Sequence, residues 1–227
     1  MISGTTRLVA LLGHPVAASL SPQMQNAAFA AADLDWAYVA CDATPEYFEA
    51  AVRGLAAAGF AGANVTTPHK TAAAALAESE LASVNTLVFQ SGEIRGFSTD
   101  AAVLAGLPAE RPVVIGDGGA AAAFRKALPQ ARSFARRGEW PPEVEEADLV
   151  VNATSERDEI LVELRGGQTL VDLPYPATAT ARDARERGAH VVEGLEVLVA
   201  QGAAAFELWT GVSAPVEAMR RAVGLSS

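Results

Sequence analysis

Short apolar runs alternate along the whole chain with alanine-rich segments of helical spacing, and this rhythm constrains the fold more than any single motif. Residues 7–12, 36–42 and 61–65 read as buried strands, and residues 84–90 and 93–96 as a hairpin around Ser91-Gly92. Between them, residues 22–32, 45–58 and 68–77 read as helices. A second set follows, with strands at 112–115, 132–135, 149–152, 169–172 and 190–193. Its helices are expected at 120–128, 178–188, 196–209 and 215–223. Strand–helix alternation of this kind predicts an α/β fold with mostly parallel sheets covered by helices.

At 227 residues there is room for one large domain or two small ones. Half of the residues are hydrophobic and 19% are charged, the balance of a folded globular chain. The net charge of −10, with no dense basic tract, argues against nucleic acid or an anionic membrane as partner. Cys41 is the only cysteine, which excludes an internal disulfide. His14, His69 and His190 lack ligand spacing, so no metal site is expected. No apolar run reaches the roughly 18 residues of a membrane helix. The first residues lack a signal-peptide pattern, so a cytoplasmic protein is expected.

Three segments at strand exits carry polar chemistry. In Ser19-Leu20-Ser21-Pro22, Ser21 suits an N-cap and Pro22 a first helical position. Two hydroxyls and free backbone N–H groups there can seat a carboxylate, although a plain helix cap explains the same residues. In Asn64-Val65-Thr66-Thr67-Pro68-His69-Lys70, Thr67 is expected to cap and Lys70 to fall in the first turn. The helix dipole disfavours a cation there by roughly 0.3–1 kcal/mol. Lys70 is therefore a candidate proton carrier, against the alternative of a solvated lysine. In Gly96-Phe97-Ser98-Thr99-Asp100, Asp100 opens a helix, where a carboxylate is favoured with or without chemistry. Parallel strands would bring the three segments to one sheet edge, joining an anion seat to a Lys–Asp proton pair.

Residues 113–121 read as strand, turn and helix with the G-x-G-x-x-A dinucleotide fingerprint. Gly116 permits the tight turn, Gly118 lets backbone approach a diphosphate, and Ala121 permits close helix–strand packing. Gly119 and Ala120 open the helix beside them. About 20 residues on, where an NAD site carries an acid, stand Arg136 and Arg137, which suit a 2′-phosphate. That favours NADP, unless the two arginines are simply solvated. Asp117 places a carboxylate beside the expected diphosphate.

These motifs resemble the shikimate dehydrogenase family over nearly the whole chain. GHPVAASLSP is similar to its substrate-carboxylate loop, with Ser19 and Ser21 on its two serines, and GANVTTPHK to its catalytic-lysine motif, with Lys70 as the lysine. SVNTL places Asn85 against substrate hydroxyls, and FSTD resembles the family's NTD motif, giving Asp100 as the catalytic aspartate. Thr66 would also meet the substrate. NATS resembles a cofactor-domain motif and gives Asn152 and Thr154. DLPYPATAT gives Tyr175, and LVAQGAAAFELWTG gives Gln201, both as substrate contacts.

The resemblance implies a substrate-binding domain of residues 1–99 and 197–227, a Rossmann-like NADP domain of residues 100–196, and a cleft between them. It implies NADP-dependent reduction of 3-dehydroshikimate to shikimate, a small hydroxy-carboxylate, and leaves a homodimer open. Departures stand at Ala18 and Gln25, where the family has histidines, and at Ser98, where it has asparagine. Several connections are also shorter than the family's. These differences motivate two alternatives: a ligand-binding paralogue with weak catalysis, or a dehydrogenase for quinate or an amino-substituted shikimate.

Overall fold

The computed structural model describes residues 2–77 and 79–226. The chain divides into two compact units, one formed by residues up to Thr99 together with those from Val199 onward, the other by Asp100–Leu198.

The first unit holds strands β1 (Arg7–Gly13), β2 (Trp36–Asp42), β3 (Gly62–Val65), β4 (Thr86–Gln90) and β5 (Glu93–Phe97) in the order β2-β1-β3-β4-β5. β1 pairs in parallel with β2 and β3. β4 is antiparallel to both β3 and β5, so four of the five strands point one way. The β4–β5 turn has Ser91 at φ 54° and Gly92 at φ 83°, the left-handed pair that a tight hairpin requires. One face is covered by α2 (Phe48–Ala57) and α3 (Lys70–Leu76), with Val52, Ala73 and Ala74 buried against Ala10, Leu12, Ala63 and Val65. On the other side α1 (Ser21–Ala31) packs against α7 (Val216–Ala222). α6 (Gly194–Thr210) brings Phe206 onto Phe29, with ring centroids 5.4 Å apart, and Trp209 beside Tyr38.

The second unit holds β6 (Pro112–Ile115), β7 (Arg132–Phe134), β8 (Leu149–Asn152), β9 (Thr169–Asp172) and β10 (His190–Val192), all parallel, in the order β10-β9-β8-β6-β7. α4 (Gly119–Ala127) covers one face through Ala121 and Phe124, joined by a 3₁₀ turn at Asp100–Leu104. α5 (Ala179–Glu186) covers the other through Ala181 and Ala184. The crossovers from β7 to β8 and from β8 to β9 contain no helix among the described residues. Their buried Val144, Leu161, Val162 and Leu164 fill the place that crossover helices commonly take. Gln168 ties this irregular backbone down, its Nε2 donating to the carbonyls of Val144 and Ala147 at 2.7 and 2.8 Å.

In each sheet the strand order reverses once, between β1 and β3 and between β6 and β8. Such switch points, at the carboxyl ends of the strands, are where open α/β sheets bind ligands.

Candidate active site

In the first unit the carboxyl end of β1 leads into residues 14–20 and that of β3 into residues 66–69. Because β4 runs backward, Asn85, just before it, lies at the same edge, and so does Thr99 beyond β5. The loops are tied together. His14 N donates to the Thr67 carbonyl at 3.1 Å and Thr66 N to that of Leu12 at 2.9 Å. Gly13 is required here, since a Cβ would lie 2.3 Å from Cγ2 of Thr66.

Both helix starts at this edge differ from expectation. Ser21 is the first residue of α1 rather than its cap, and Leu20 stands at the N-cap without a side-chain bond. Ser19 takes the capping role instead, its hydroxyl accepting from Ser21 N at 3.3 Å. Ser21, freed of that role, is buried with its hydroxyl toward the Tyr38 phenol. Thr67 does not cap either, because α3 begins at Lys70. Buried His69 is drawn down by donating from Nε2 to the Ala43 carbonyl at 2.6 Å and by stacking on Phe48. The chain therefore turns through residues 66–69 before the helix can start, and Lys70, half-buried, becomes its first residue.

Below the edge runs a buried polar chain that sequence reading missed. Tyr38 donates from its phenol to Asn64 Oδ1 at 2.9 Å, and Asn64 Nδ2 donates to Thr86 Oγ1 at 3.0 Å. Asn85 clamps Thr99, accepting from its backbone N at 2.7 Å and donating to its hydroxyl at 2.9 Å. The clamp fixes the backbone one residue before Asp100. Burial pushes the Tyr38 phenol above its ordinary pKa, so it remains a donor at any physiological pH. Asn64 stood in the motif GANVTTPHK, but Tyr38 looked like one more apolar strand residue. Tyr38→Phe leaves the Asn64 oxygen buried without this donor, and is expected to cost about 1–3 kcal/mol in urea unfolding.

Gln201 lies half-buried on α6. Its neighbour Gly202 lets α1 approach, because a Cβ there would lie 2.2 Å from Cε of Met24. Gln25, wholly buried, donates from Nε2 to the Gly202 carbonyl at 2.9 Å.

In the second unit, Asp100 is buried and opens a 3₁₀ turn rather than the expected α-helix. The glycine turn follows β6. Gly116 adopts φ 128°, and a Cβ on it would sit 3.0 Å from the Ala153 carbonyl oxygen. Gly116 N donates to the Phe134 carbonyl at 2.8 Å, and Arg125 donates to the Gly116 carbonyl at 3.0 Å. Gly118 caps α4 in an extended conformation with no side-chain bond, and the space where its Cβ would be is open. The N–H groups of Gly119, Ala120 and Ala121 have no partner within the helix by its geometry, which suits a diphosphate. Asp117 is exposed. This turn fits a dinucleotide.

Asn152 and Thr154 engage one another at the end of β8. Asn152 Oδ1 accepts from the Thr154 hydroxyl at 2.8 Å, while its Nδ2 donates to Asp172 Oδ1 at 2.7 Å. Asp172, missed in the sequence, thus holds Asn152, and its other oxygen accepts from Thr178 N at 3.3 Å. Burial raises its carboxyl above the ordinary pKa. The signal for it was the aspartate that ends the run TLVD and opens DLPYPATAT, a motif read only for Tyr175. Tyr175 follows, half-buried, past the carboxyl end of β9. Arg136 stands exposed beyond β7, over the Trp140 ring and ion-paired with Glu159. Among the described residues no group of three His, Cys, Asp or Glu stands together as a metal site, and no helix is long and apolar enough to cross a membrane.

Two family models match: a shikimate dehydrogenase substrate-binding domain over residues 11–87 and a shikimate 5′-dehydrogenase C-terminal domain over residues 194–223. An NADP-dependent shikimate dehydrogenase of Moorella thermoacetica is 40% identical, covering 100% of this chain and 97% of its own. The chain belongs to the shikimate dehydrogenase family. A second member, from an Anaeromyxobacter strain, is 39% identical over 98% of both chains. Among solved structures, the Aquifex aeolicus shikimate dehydrogenase is similar with TM-score 0.88 and 29% identity, covering 99% of this chain and 100% of its own. The Thermus thermophilus enzyme, in complex with NADP(H) and shikimate, is similar with TM-score 0.85 and 32% identity over 96% and 98% of the two chains.

Proposed function

We propose that the chain is an NADP-dependent shikimate dehydrogenase, reversibly reducing 3-dehydroshikimate to shikimate in aromatic amino acid biosynthesis. The observation that carries this reading is the single sheet edge to which Ser19, Ser21, Thr66, Lys70 and Asn85 all belong, in a chain whose relatives bear that name. The Ser19 and Ser21 hydroxyls seat the substrate carboxylate, and Thr66, Asn85, Tyr175 and Gln201 fix the ring. Lys70 gives a proton to the substrate oxygen in reduction and takes it back in oxidation. Asp100 accepts a hydrogen bond from that hydroxyl and orients it toward the lysine. The dinucleotide, held by Gly116, Gly118, Gly119 and Ala120 at the start of α4, by Asn152 and Thr154, and by Arg136, supplies or takes the hydride. The net charge of −10 makes small-molecule chemistry a better reading than binding to nucleic acid or an anionic membrane.

A broader substrate is the second reading, motivated by Ala18 and Gln25. Gln25 is wholly buried in the packing of α1 on α6, so it meets no ligand without moving. Ala18 is exposed and is the departure that a substrate can touch. NADPH oxidation followed with 3-dehydroshikimate, 3-dehydroquinate and an amino-substituted analogue tests both readings. Turnover of 3-dehydroshikimate is expected to dominate. Preference for another member of the panel would establish the second reading, and no turnover of any would overturn both.

A further inference from the structure

The connection between β8 and β9 brings acid to a place where the nucleotide reading expects only base. Glu156 closes a tight turn, its Oε1 accepting from the backbone N of Arg157, Asp158 and Glu159 at 2.9, 3.0 and 3.3 Å. Thr180 holds the far side of that turn through the Glu159 carbonyl at 3.3 Å. The backbone is thereby fixed, and the exposed Glu159 side chain reaches Arg136. Arg136 is held in its turn. A reversal at Ala135–Glu139, with Gly138 N donating to the Ala135 carbonyl at 2.8 Å, returns Trp140 to the guanidinium, 5.0 Å from the ring centroid. The Glu156 carboxylate lies in the field of Arg136 too, with its Oε1 taken up by the three backbone N–H groups of the turn. Among the described residues, Glu159 is the one whose carboxylate is bonded to Arg136, through one guanidinium nitrogen.

We infer that Glu159 is a specificity-determining residue of the nucleotide site, an internal carboxylate that competes with the 2′-phosphate of NADP for Arg136. This rests on the NADP reading above. A guanidinium offers its paired N–H groups to a carboxylate or a phosphate in the same geometry. When Arg136 meets a 2′-phosphate, Glu159 must yield, or remain as a like charge beside a dianion. A nucleotide with a free 2′-hydroxyl faces no such conflict, because a carboxylate accepts from that hydroxyl. Glu159 therefore narrows the preference for NADP over NAD. Exposed ion pairs are weak, so the competition lowers NADP affinity without blocking it.

The test is binding, read by calorimetry with NADP⁺ and NAD⁺ on wild type, Glu159→Gln and Arg136→Gln, with melting temperatures to confirm folding. Glu159→Gln is expected to bind NADP⁺ about 2- to 5-fold more tightly, the size of a screened charge pair removed. NAD⁺ affinity should not rise, and the gain for NADP⁺ should shrink in high salt. Arg136→Gln should weaken NADP⁺ and spare NAD⁺. NADP⁺ affinity unchanged or lowered in Glu159→Gln, while wild type binds it, would overturn the inference alone. So would equal tightening of both nucleotides. Absence of NADP⁺ binding to wild type would overturn the NADP reading and this inference with it.

Discussion

Lys70→Ala is expected to lower kcat for 3-dehydroshikimate reduction by about 10²- to 10⁴-fold, the contribution of a positioned proton carrier. The side chain starts α3 at the sheet edge and is half-buried, so its loss leaves the backbone bond from Val84 N to the Lys70 carbonyl, at 3.0 Å, in place. The melting temperature should therefore change little, and NADP⁺ binding measured by calorimetry should persist. Steady-state NADPH oxidation reads the loss. Unchanged kcat would remove Lys70 from the chemistry even if the substrate assignment stood.

Gly62→Val should bring the largest loss of stability. Gly62 lies in β3, and a Cβ there would stand 2.2 Å from the Leu87 carbonyl oxygen and 2.4 Å from Nε1 of Trp209. Trp209 Nε1 donates to that same carbonyl at 2.9 Å. The substitution thus separates α6 from the sheet and breaks the bond between them. Overpacking of this kind costs about 3 kcal/mol or more, which lowers the melting temperature of a unit this size by on the order of 10 °C. Differential scanning calorimetry reads it. A variant melting within about 2 °C of wild type would mean that α6 can shift at no cost, contrary to the contact shown.

Most strands were legible because apolar periodicity survives in any tertiary setting. Residues 36–42, 112–115, 149–152 and 169–172 are strands with the expected limits. Helix starts were read less well. Ser21 and Thr67 have the residue types of caps, yet Ser19 meets the first N–H of α1 from two residues upstream, and His69 holds the start of α3 through Ala43, 26 residues away, a contact that local propensity does not encode. The site was legible as motifs, whereas its buried support was not. Tyr38 looks unremarkable in sequence and Asp172 stood in a motif read only for Tyr175, because their partners are 26 and 20 residues away.

The sequence by itself determined the alternation of strands and helices, the glycines that a close approach requires, and the family. Those depend on periodicity, on the absence of a Cβ and on residue identity. The lysine at the head of α3 was legible for the same reason. Strand order was decided only by the tertiary structure. It puts β1 beside β3 and reverses β4, and so collects Ser19, Thr66, Lys70 and Asn85 at one edge. It also decided the meeting of Arg136 with Glu159, 23 residues apart. The meeting depends on how an irregular crossover packs its few apolar residues against the second sheet, and no local pattern carries that information.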